Sequence, residues 1–258
     1  MFPSGFYRDE NGELNVQGIK IDALTAKYGT PLFIYDTGLM KERYELFLNT
    51  VKNVKGNIHY AVKANDSVNI IKFFGKLGAG ADIVSIGEFH KCIAAGITPE
   101  KIIFSGVGKD KNEIETAIRN NILQFNIESE EELDDIYEIA SKLKLTANIC
   151  LRINPDIAPN THKKISTGEK ETKFGIDNED ILSIYEKLHK LKYINPVGLG
   201  VHIGSQIFDF NFFHKAFLNL KTVADKLKSN GFKVPTLDLG GGIGIYYDQN
   251  KKPDFDTY

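Results

Sequence analysis

Residues 102–128 have the sequence IIFSGVGKDKNEIETAIRNNILQFNIE, and this stretch contains the pattern that decides the fold. The runs Ile102 to Ser105 and Leu123 to Glu128 are apolar and of strand length, whereas Lys111 to Asn120 places apolar residues three and four apart. Two nearly apolar strands joined by a crossover helix are typical of a parallel sheet that is covered on both faces. The stretch therefore predicts one β-α-β unit.

The same unit recurs along the chain. The predicted strands are Ile58 to Ala64, Ala81 to Ser85, Ile102 to Ser105, Leu123 to Glu128, Ala147 to Asn154, Val197 to Ser205 and Thr236 to Gly240. The predicted helices are Ser67 to Leu77, Ser85 to Ala95, Lys111 to Asn120, Ser129 to Leu143, Asn178 to Leu191 and Asn211 to Asn230. So many units in series favour a (β/α)8 TIM barrel over a doubly wound sheet.

The two ends of the chain depart from this alternation. Near the start we predict a short helix at Ile21 to Tyr28, a strand at Pro31 to Asp36 and a helix around Leu39 to Val51. We assign residues 1–34 to a segment associated with a second, smaller β domain, and residues 35–258 to the barrel. The polar end of the chain offers no eighth strand, and an open barrel would leave two unpaired edges. We therefore expect the chain to be a fragment, truncated before the eighth strand.

Composition excludes several classes of function. The net charge is −2 over 258 residues, so the chain has no basic field for nucleic acid or anionic lipid. Cys92 and Cys150 are the only cysteines, and neither belongs to a Cys-x-x-Cys or Cys/His cluster, so we predict neither a disulfide nor a metal site. The first ten residues lack the apolar core of an export signal, and no run is long enough to span a membrane. These features favour a cytoplasmic protein without membrane or nucleic-acid partners.

Candidate catalytic side chains lie where the predicted strands end, which is where barrels of this kind carry their active sites. Lys63 closes the first strand, and a lysine amine held in a rigid, partly dry site is suited to covalent chemistry with carbonyl groups. The further candidates at strands are Asp82, Arg152, Asn154, His202 and Ser205. The glycine cluster Gly240 to Gly244 follows the seventh strand, where backbone N–H groups can approach a phosphate. The cluster lacks the spacing of a dinucleotide fingerprint, so another phosphorylated cofactor is predicted.

Each candidate also has a structural interpretation. Lys63 could cap a strand at the surface, and His202 could be a satisfied core histidine. Asp82 and Glu88 could cap the second helix or pair with lysines, and Ser205 could cap a helix. Arg152 could belong to a structural ion pair. At the level of the residues alone, both interpretations stay open.

Five motifs, in this order along the chain, resemble the barrel-type (fold type III) decarboxylases that depend on pyridoxal 5'-phosphate (PLP). They are Tyr60-Ala-Val-Lys-Ala-Asn65, Gly80-Ala-Asp-Ile-Val-Ser-Ile-Gly-Glu88, Arg152-Ile-Asn-Pro155, His202-Ile-Gly-Ser-Gln206 and Gly240-Gly-Gly-Ile-Gly244. The resemblance extends from Tyr28 onward and implies a barrel of the alanine racemase-like type. The block His162 to Gly168, followed by Lys173-Phe-Gly175, resembles members that act on diaminopimelate; ornithine decarboxylases are similar only around Lys173 to Gly175.

The resemblance implies a role for each site residue. Lys63 is implied to carry PLP and to exchange it for the substrate amine, and His202 to stack on the cofactor ring. Ser205, Gly240, Gly241 and Gly242 are implied to bind the phosphate, Asp82 and Glu88 to support the lysine and cofactor, and Arg152 to join the cofactor site. In the family, a Glu-Pro-Gly-Arg motif near the eighth strand supplies the acid that keeps the ring nitrogen protonated, and a C-terminal β domain with a Cys-Glu motif completes the neighbouring subunit's site. Neither occurs in this sequence.

The implied reaction is decarboxylation of meso-2,6-diaminopimelate to L-lysine and CO2, the last step of lysine biosynthesis, by a cytoplasmic homodimer. We expect the 258-residue chain by itself to be inactive or nearly so. One alternative is another decarboxylase of the fold, acting on ornithine, arginine or carboxynorspermidine. Others are a non-enzymatic PLP-binding barrel that serves cofactor homeostasis and a catalytically inactive regulatory subunit.

Overall fold

The computed structural model describes residues 5–157 and 174–245, and these form two compact units. The first comprises residues up to 56 together with Ile245, and the second comprises residues 57–244. The predicted boundary between residues 34 and 35 stays a prediction. The block from His162 to Lys173, which carried part of the resemblance, lies outside the described residues.

The first unit contains a small antiparallel sheet and two helices. In the sheet, β1 (Phe6–Arg8) pairs with β2 (Leu14–Val16), and β2 pairs with β3 (Ile19–Lys20). The helices are α1 (Ile21–Tyr28) and α2 (Thr37–Thr50), so both predicted helices are confirmed.

The predicted strand from Pro31 to Asp36 is wrong, because this segment is irregular. No strand of the first unit, as far as it is described, pairs with it. Asp36 instead caps α2, since its carboxylate accepts hydrogen bonds from the backbone N–H groups of Gly38 (2.8 Å) and Leu39 (3.1 Å). The segment has residues that favour strands, but it forms no strand because no neighbouring strand among the described residues pairs with it.

The second unit is a parallel sheet with helical crossovers. Its strands are β4 (His59–Ala61), β5 (Gly80–Ile83), β6 (Ile102–Phe104), β7 (Gln124–Ile127), β8 (Ala147–Asn154), β9 (Ile176–Asp177), β10 (Ile194–Val201) and β11 (Thr236–Asp238). Its helices are α3 (Val68–Lys76), α4 (Ile86–Ala95), α5 (Lys111–Arg119), α6 (Glu130–Leu143), α7 (Ile181–Lys190) and α8 (Asn211–Ser229). All seven predicted strands and all six predicted helices are confirmed.

The strands lie in the order β4-β5-β6-β7-β8-β10-β11, with every neighbouring pair parallel, and the short β9 adds to β8. Sequential parallel strands connected by helices are the architecture of a (β/α) barrel, here with seven of its main strands. In the residues that the structure describes, β4 and β11 each have a main-strand neighbour on one side only.

The two faces of this sheet differ in chemistry. Tyr60 of β4 stacks on Phe74 of α3, with ring centroids 4.5 Å apart, so its side of the sheet is the helix-covered one. Phe104 and Phe125 are fully buried and stack with centroids 6.1 Å apart. Residues paired across parallel strands share a face, and the register therefore places one set of polar residues on the opposite face: Asp82, Gln124, Asn126, Arg152 and Asp238. The interior of the barrel thus carries this set of polar side chains, together with Ile103 and Cys150, while the main apolar core lies between sheet and helices.

Candidate active site

Lys63 lies in a single helical turn, Val62–Ala64, that follows β4 directly. Val62 is fully buried, and the Tyr60 hydroxyl donates a hydrogen bond to the Asn65 carbonyl at 3.1 Å, which closes the turn from both sides. The Lys63 side chain is exposed, and within residues 5–157 and 174–245 its amine makes neither a hydrogen bond nor an ion pair. The fold therefore fixes the backbone of this lysine and leaves the amine available for reaction.

Asp82 lies on the neighbouring strand, paired with Ala61, and accepts a hydrogen bond from the Ser105 hydroxyl at 2.7 Å. Burial raises the pKa of Asp82 to about 7, and the negative charge of Asp238 adds to this rise. The Ser105 hydrogen bond and the positive charges of Lys63 and Arg152 act in the opposite direction. Asp82 is therefore divided between its protonated and ionised forms near neutral pH.

Glu88 lies in the first turn of α4 and turns back toward the end of β5. Its Oε2 accepts the N–H of Val84 at 2.7 Å, while its own N–H donates to the Oγ of Ser85, the N-cap, at 3.2 Å. Burial raises the pKa of Glu88, and the nearby positive charge of Lys63 opposes the rise. The cap of α4 is the Ser85 hydroxyl, whereas the Glu88 carboxylate binds the Val84 N–H before the helix begins, so the predicted support of the cofactor by Glu88 stays a prediction.

Arg152 and Glu128 form a buried ion pair, with side chains 12% and 3% exposed. Nη1 of Arg152 contacts both carboxylate oxygens of Glu128, at 2.8 and 2.9 Å, and Nη2 donates to the carbonyl of His202 at 3.2 Å. The guanidinium also lies over the Phe174 ring, 5.1 Å from its centroid. The structural ion pair foreseen as one interpretation is therefore present, and it connects Arg152 to the backbone of another candidate.

His202 follows β10, and its Nδ1 accepts the N–H of Gly241 at 3.3 Å. Burial lowers the pKa of His202 to about 3, and the positive charges of Arg152 and Lys63 lower it further. The imidazole is therefore neutral at physiological pH. Because Nδ1 accepts a hydrogen bond, the proton of the neutral ring lies on Nε2.

The glycine loop after β11 packs against the segment after β10. A Cβ on Gly240 would collide with the Val201 carbonyl oxygen, and one on Gly242 with that of Gly204; both glycines also have positive φ, +69° and +109°. Ile207 donates to the Gly242 carbonyl at 2.9 Å and accepts the N–H of Gly244 at 2.8 Å. Backbone packing therefore explains two of the glycines without any ligand.

The same loop fits a phosphate. The space beside the Cα of Gly241 is open, and in the described part of the chain the N–H groups of Gly242 and Ile243 have no acceptor. The side chain of Ser205 is exposed on the adjoining segment. Consecutive free N–H groups beside an exposed hydroxyl suit an anion.

Sequence reasoning did not single out a polar network that connects Asp82 to this loop. Asn126 donates through Nδ2 to Ser105 Oγ (3.1 Å) and to Asp238 Oδ2 (2.8 Å). Asp238 Oδ1 accepts the N–H of Gly240 at 2.9 Å, and Gln124 Nε2 donates to Asn126 Oδ1 at 2.8 Å. The available signal was the alternation of Gln124, Asn126 and Glu128 within an apolar strand, because a period of two places all three on one face.

All residues predicted for the site lie in the second unit, at or beyond the C-terminal ends of its strands. Asn154 is buried there, and its side chain accepts the N–H of Asp156 at 3.0 Å, so it closes β8. Among the residues described, no three His, Cys, Asp or Glu side chains form a group that could hold a metal ion. A search of the same residues finds no helix with the length and apolarity needed to cross a membrane.

The fold and site are those of a pyridoxal-binding barrel, and comparison with protein families agrees. Residues 37–258 match the family model described as "Pyridoxal-dependent decarboxylase, pyridoxal binding domain". The chain therefore belongs to the pyridoxal-dependent decarboxylases, and PLP is the cofactor of its barrel. Within that family its similarity is to the diaminopimelate decarboxylases.

Two curated relatives and two solved structures illustrate this similarity. The diaminopimelate decarboxylases of Aquifex aeolicus and Zymomonas mobilis are 43% and 42% identical over 96% of this chain, which covers 58% and 60% of their lengths. The M. jannaschii enzyme in co-complex with L-lysine superposes with a TM-score of 0.91 at 34% identity, over 98% of this chain and 61% of that one. The Helicobacter pylori enzyme complexed with L-lysine gives 0.89 at 38% identity, over 92% and 60%. The chain thus spans about three fifths of the length of these relatives.

Proposed function

We propose that the whole protein is a carboxy-lyase that removes CO2 from meso-2,6-diaminopimelate and releases L-lysine. The observation that carries this proposal is the exposed Lys63 amine, which has no hydrogen-bond partner in the described chain, beside Asp82 and at the same end of the barrel as the glycine loop. The similarity to enzymes named diaminopimelate decarboxylase supports the substrate. The solved relatives that contain L-lysine support the product.

In this proposal the residues of the chain divide the work of holding PLP. Lys63 would hold the cofactor through its amine, while the N–H groups of Gly242 and Ile243 and the Ser205 hydroxyl would bind the phosphate. The ring of His202 is neutral, so it would not repel a positively charged cofactor ring stacked on it. When bound, PLP supplies the electron-accepting ring that makes loss of a carboxylate as CO2 energetically accessible.

Two carboxyl groups lie within electrostatic range of the Lys63 amine. The carboxylates of Asp82 and Glu88 would be the groups able to accept or return a proton at this amine when the cofactor is bound. Arg152 does not contact Lys63 in this proposal. Its Nη2 donates a hydrogen bond to the backbone carbonyl of His202, which helps to hold the imidazole ring in position. A homodimer and a cytoplasmic location belong to the same proposal, with the family resemblance and the composition as their support.

The proposal is tested on the protein expressed from its complete gene. Wild-type protein supplied with PLP should release lysine from meso-diaminopimelate and leave ornithine unchanged. Lys63→Ala should lose both turnover and the visible absorbance of lysine-attached PLP, whereas Lys72→Ala, which changes an exposed lysine on α3, should keep both. Lysine release by Lys63→Ala at the wild-type rate would refute the assignment of Lys63. Bound PLP without turnover of any amino acid would refute the decarboxylase itself.

A further inference from the structure

Asp82 faces charged and polar groups from four other elements. Lys63, after β4, and Arg152, on β8, are positive, and Asp238, on β11, is negative. The Ser105 hydroxyl, after β6, is the neutral group in contact with it, at 2.7 Å. Burial and Asp238 both favour the protonated acid, so a hydrogen bond donated to the carboxylate carries particular weight here.

Gln124, two residues further along the hydrogen-bond network, determines that Ser105 is the donor in this hydrogen bond. Gln124 Nε2 donates to Asn126 Oδ1 at 2.8 Å, so the amide nitrogen of Asn126 must point the other way, toward Ser105 and Asp238. Because Asn126 Nδ2 donates to Ser105 Oγ, the hydroxyl hydrogen of Ser105 remains free for Asp82. The chain Gln124 to Asn126 to Ser105 to Asp82 therefore donates in one direction only.

We propose that Ser105 and Asn126 are positioning residues that act in series to present a fixed O–H donor to Asp82 and so favour the ionised form of this carboxyl beside Lys63. Neither residue acts on the substrate in this proposal; each works through the next. The proposal rests on the proposed function, in which Lys63 carries the cofactor, because an ionised Asp82 is then the counter-charge of the reacting amine. Asn126 is well placed for this task, since it is buried at 7% exposure and uses both amide hydrogens.

The experiment follows the Asp82 carboxyl itself in the cofactor-free, full-length protein. Infrared difference spectra against Asp82→Asn isolate its carboxyl band, and the midpoint of its pH titration is then measured in each variant. Ser105→Ala removes the donor, and Asn126→Leu removes the group that orients it. Each is expected to raise the midpoint by about one pH unit, as the loss of a hydrogen bond to a charged group implies.

A double variant tests whether the two residues act in series. If Asn126 works through Ser105, then Asn126→Leu should shift the midpoint much less in the Ser105→Ala background than in the wild type. The matched control is Asn148→Leu, the same change on β8, where the amide donates to the Leu123 carbonyl (3.0 Å) and accepts from Asn195 (2.8 Å). This control should leave the Asp82 midpoint unchanged.

Several outcomes overturn the proposal. An unchanged midpoint in Ser105→Ala would refute the role of the hydroxyl, and this variant loses only one oxygen atom, so the test stands even where Asn126→Leu fails to fold. Equal effects of Asn126→Leu with and without Ser105 would refute action in series. A shift in Asn148→Leu as large as that in Asn126→Leu would show a general packing effect instead. The titration needs no bound cofactor, so a failure of the decarboxylase proposal would appear separately, in the Lys63→Ala assay.

Discussion

Replacing Asp82 by Asn should change how the stability of the second unit depends on pH. In the folded protein burial raises the pKa of this carboxyl from 3.8 to about 7. Between these two values the folded state holds a proton that the unfolded state has released. The free energy of unfolding therefore falls as pH rises through this window, and Asp82→Asn removes that fall.

The magnitude follows from the size of the shift. A rise of about three pKa units corresponds to roughly 4 kcal/mol at about 1.36 kcal/mol per unit. Only the part of the shift between pH 5 and the folded pKa near 7 falls within the range from pH 5 to pH 8, and it corresponds to somewhat less than about 3 kcal/mol; partial solvent access reduces this figure, so we expect about 2 kcal/mol. Over that interval the variant should gain this much stability relative to the wild type, with the difference constant at higher pH.

Denaturant unfolding of both cofactor-free proteins, at half-unit steps from pH 5 to pH 8.5, measures the difference directly. Subtraction is essential because His202 has the opposite dependence in an overlapping range. The pKa of His202 is lowered from 6.5 to about 3, so its contribution makes the free energy of unfolding fall as the pH falls below 6.5. Parallel curves for wild type and Asp82→Asn would refute the reasoning, since they would show that the buried carboxyl titrates as it does in the unfolded chain.

Three further predictions concern the surrounding framework. His202→Gln should lose less stability than the wild type on acidification from pH 6.5 toward pH 4, measured by the same unfolding series, and an equal acid loss would contradict a neutral buried imidazole. Glu128→Gln should cost about 3 to 5 kcal/mol because its arginine partner stays buried, whereas Glu115→Gln, which removes an exposed ion pair with Arg119 on α5, should cost less than about 1 kcal/mol; similar costs would contradict the buried bridge. Gly242→Ala should lower the melting temperature strongly, while Gly241→Ala should keep it and weaken PLP binding in a fluorescence titration; reversal of the two would refute the phosphate assignment.

Much of the fold was predictable because each main strand is a short apolar run in the sequence. Seven apolar runs became the seven main strands, and α1 has the predicted bounds Ile21–Tyr28. The error at Pro31 to Asp36 has a definite origin. Strand propensity is a local property, but a strand requires a pairing partner, and the competing demand there was the N-cap of α2.

The site was predictable where chemistry is concentrated in recognisable residues at strand ends. Lys63, His202 and the glycine loop meet that condition. Ser105, Asn126 and Asp238 do not, because each is an ordinary polar residue whose importance comes from a partner on a different strand. Register between distant strands decides such contacts, and a single sequence does not state register.

The division of labour between the two faces of the sheet has a consequence for how this protein can change. Phe125 contributes to the core between sheet and helices, whereas its neighbour Asn126 contributes to the polar interior. Mutations at alternate positions of one strand should therefore affect two different properties: thermal stability at positions that face the helices, and catalytic activity at positions that face the interior. In a saturation scan, tolerance along β7 should alternate residue by residue between these traits. Evolution can accordingly retune the chemistry of such a barrel without first rebuilding what keeps it folded.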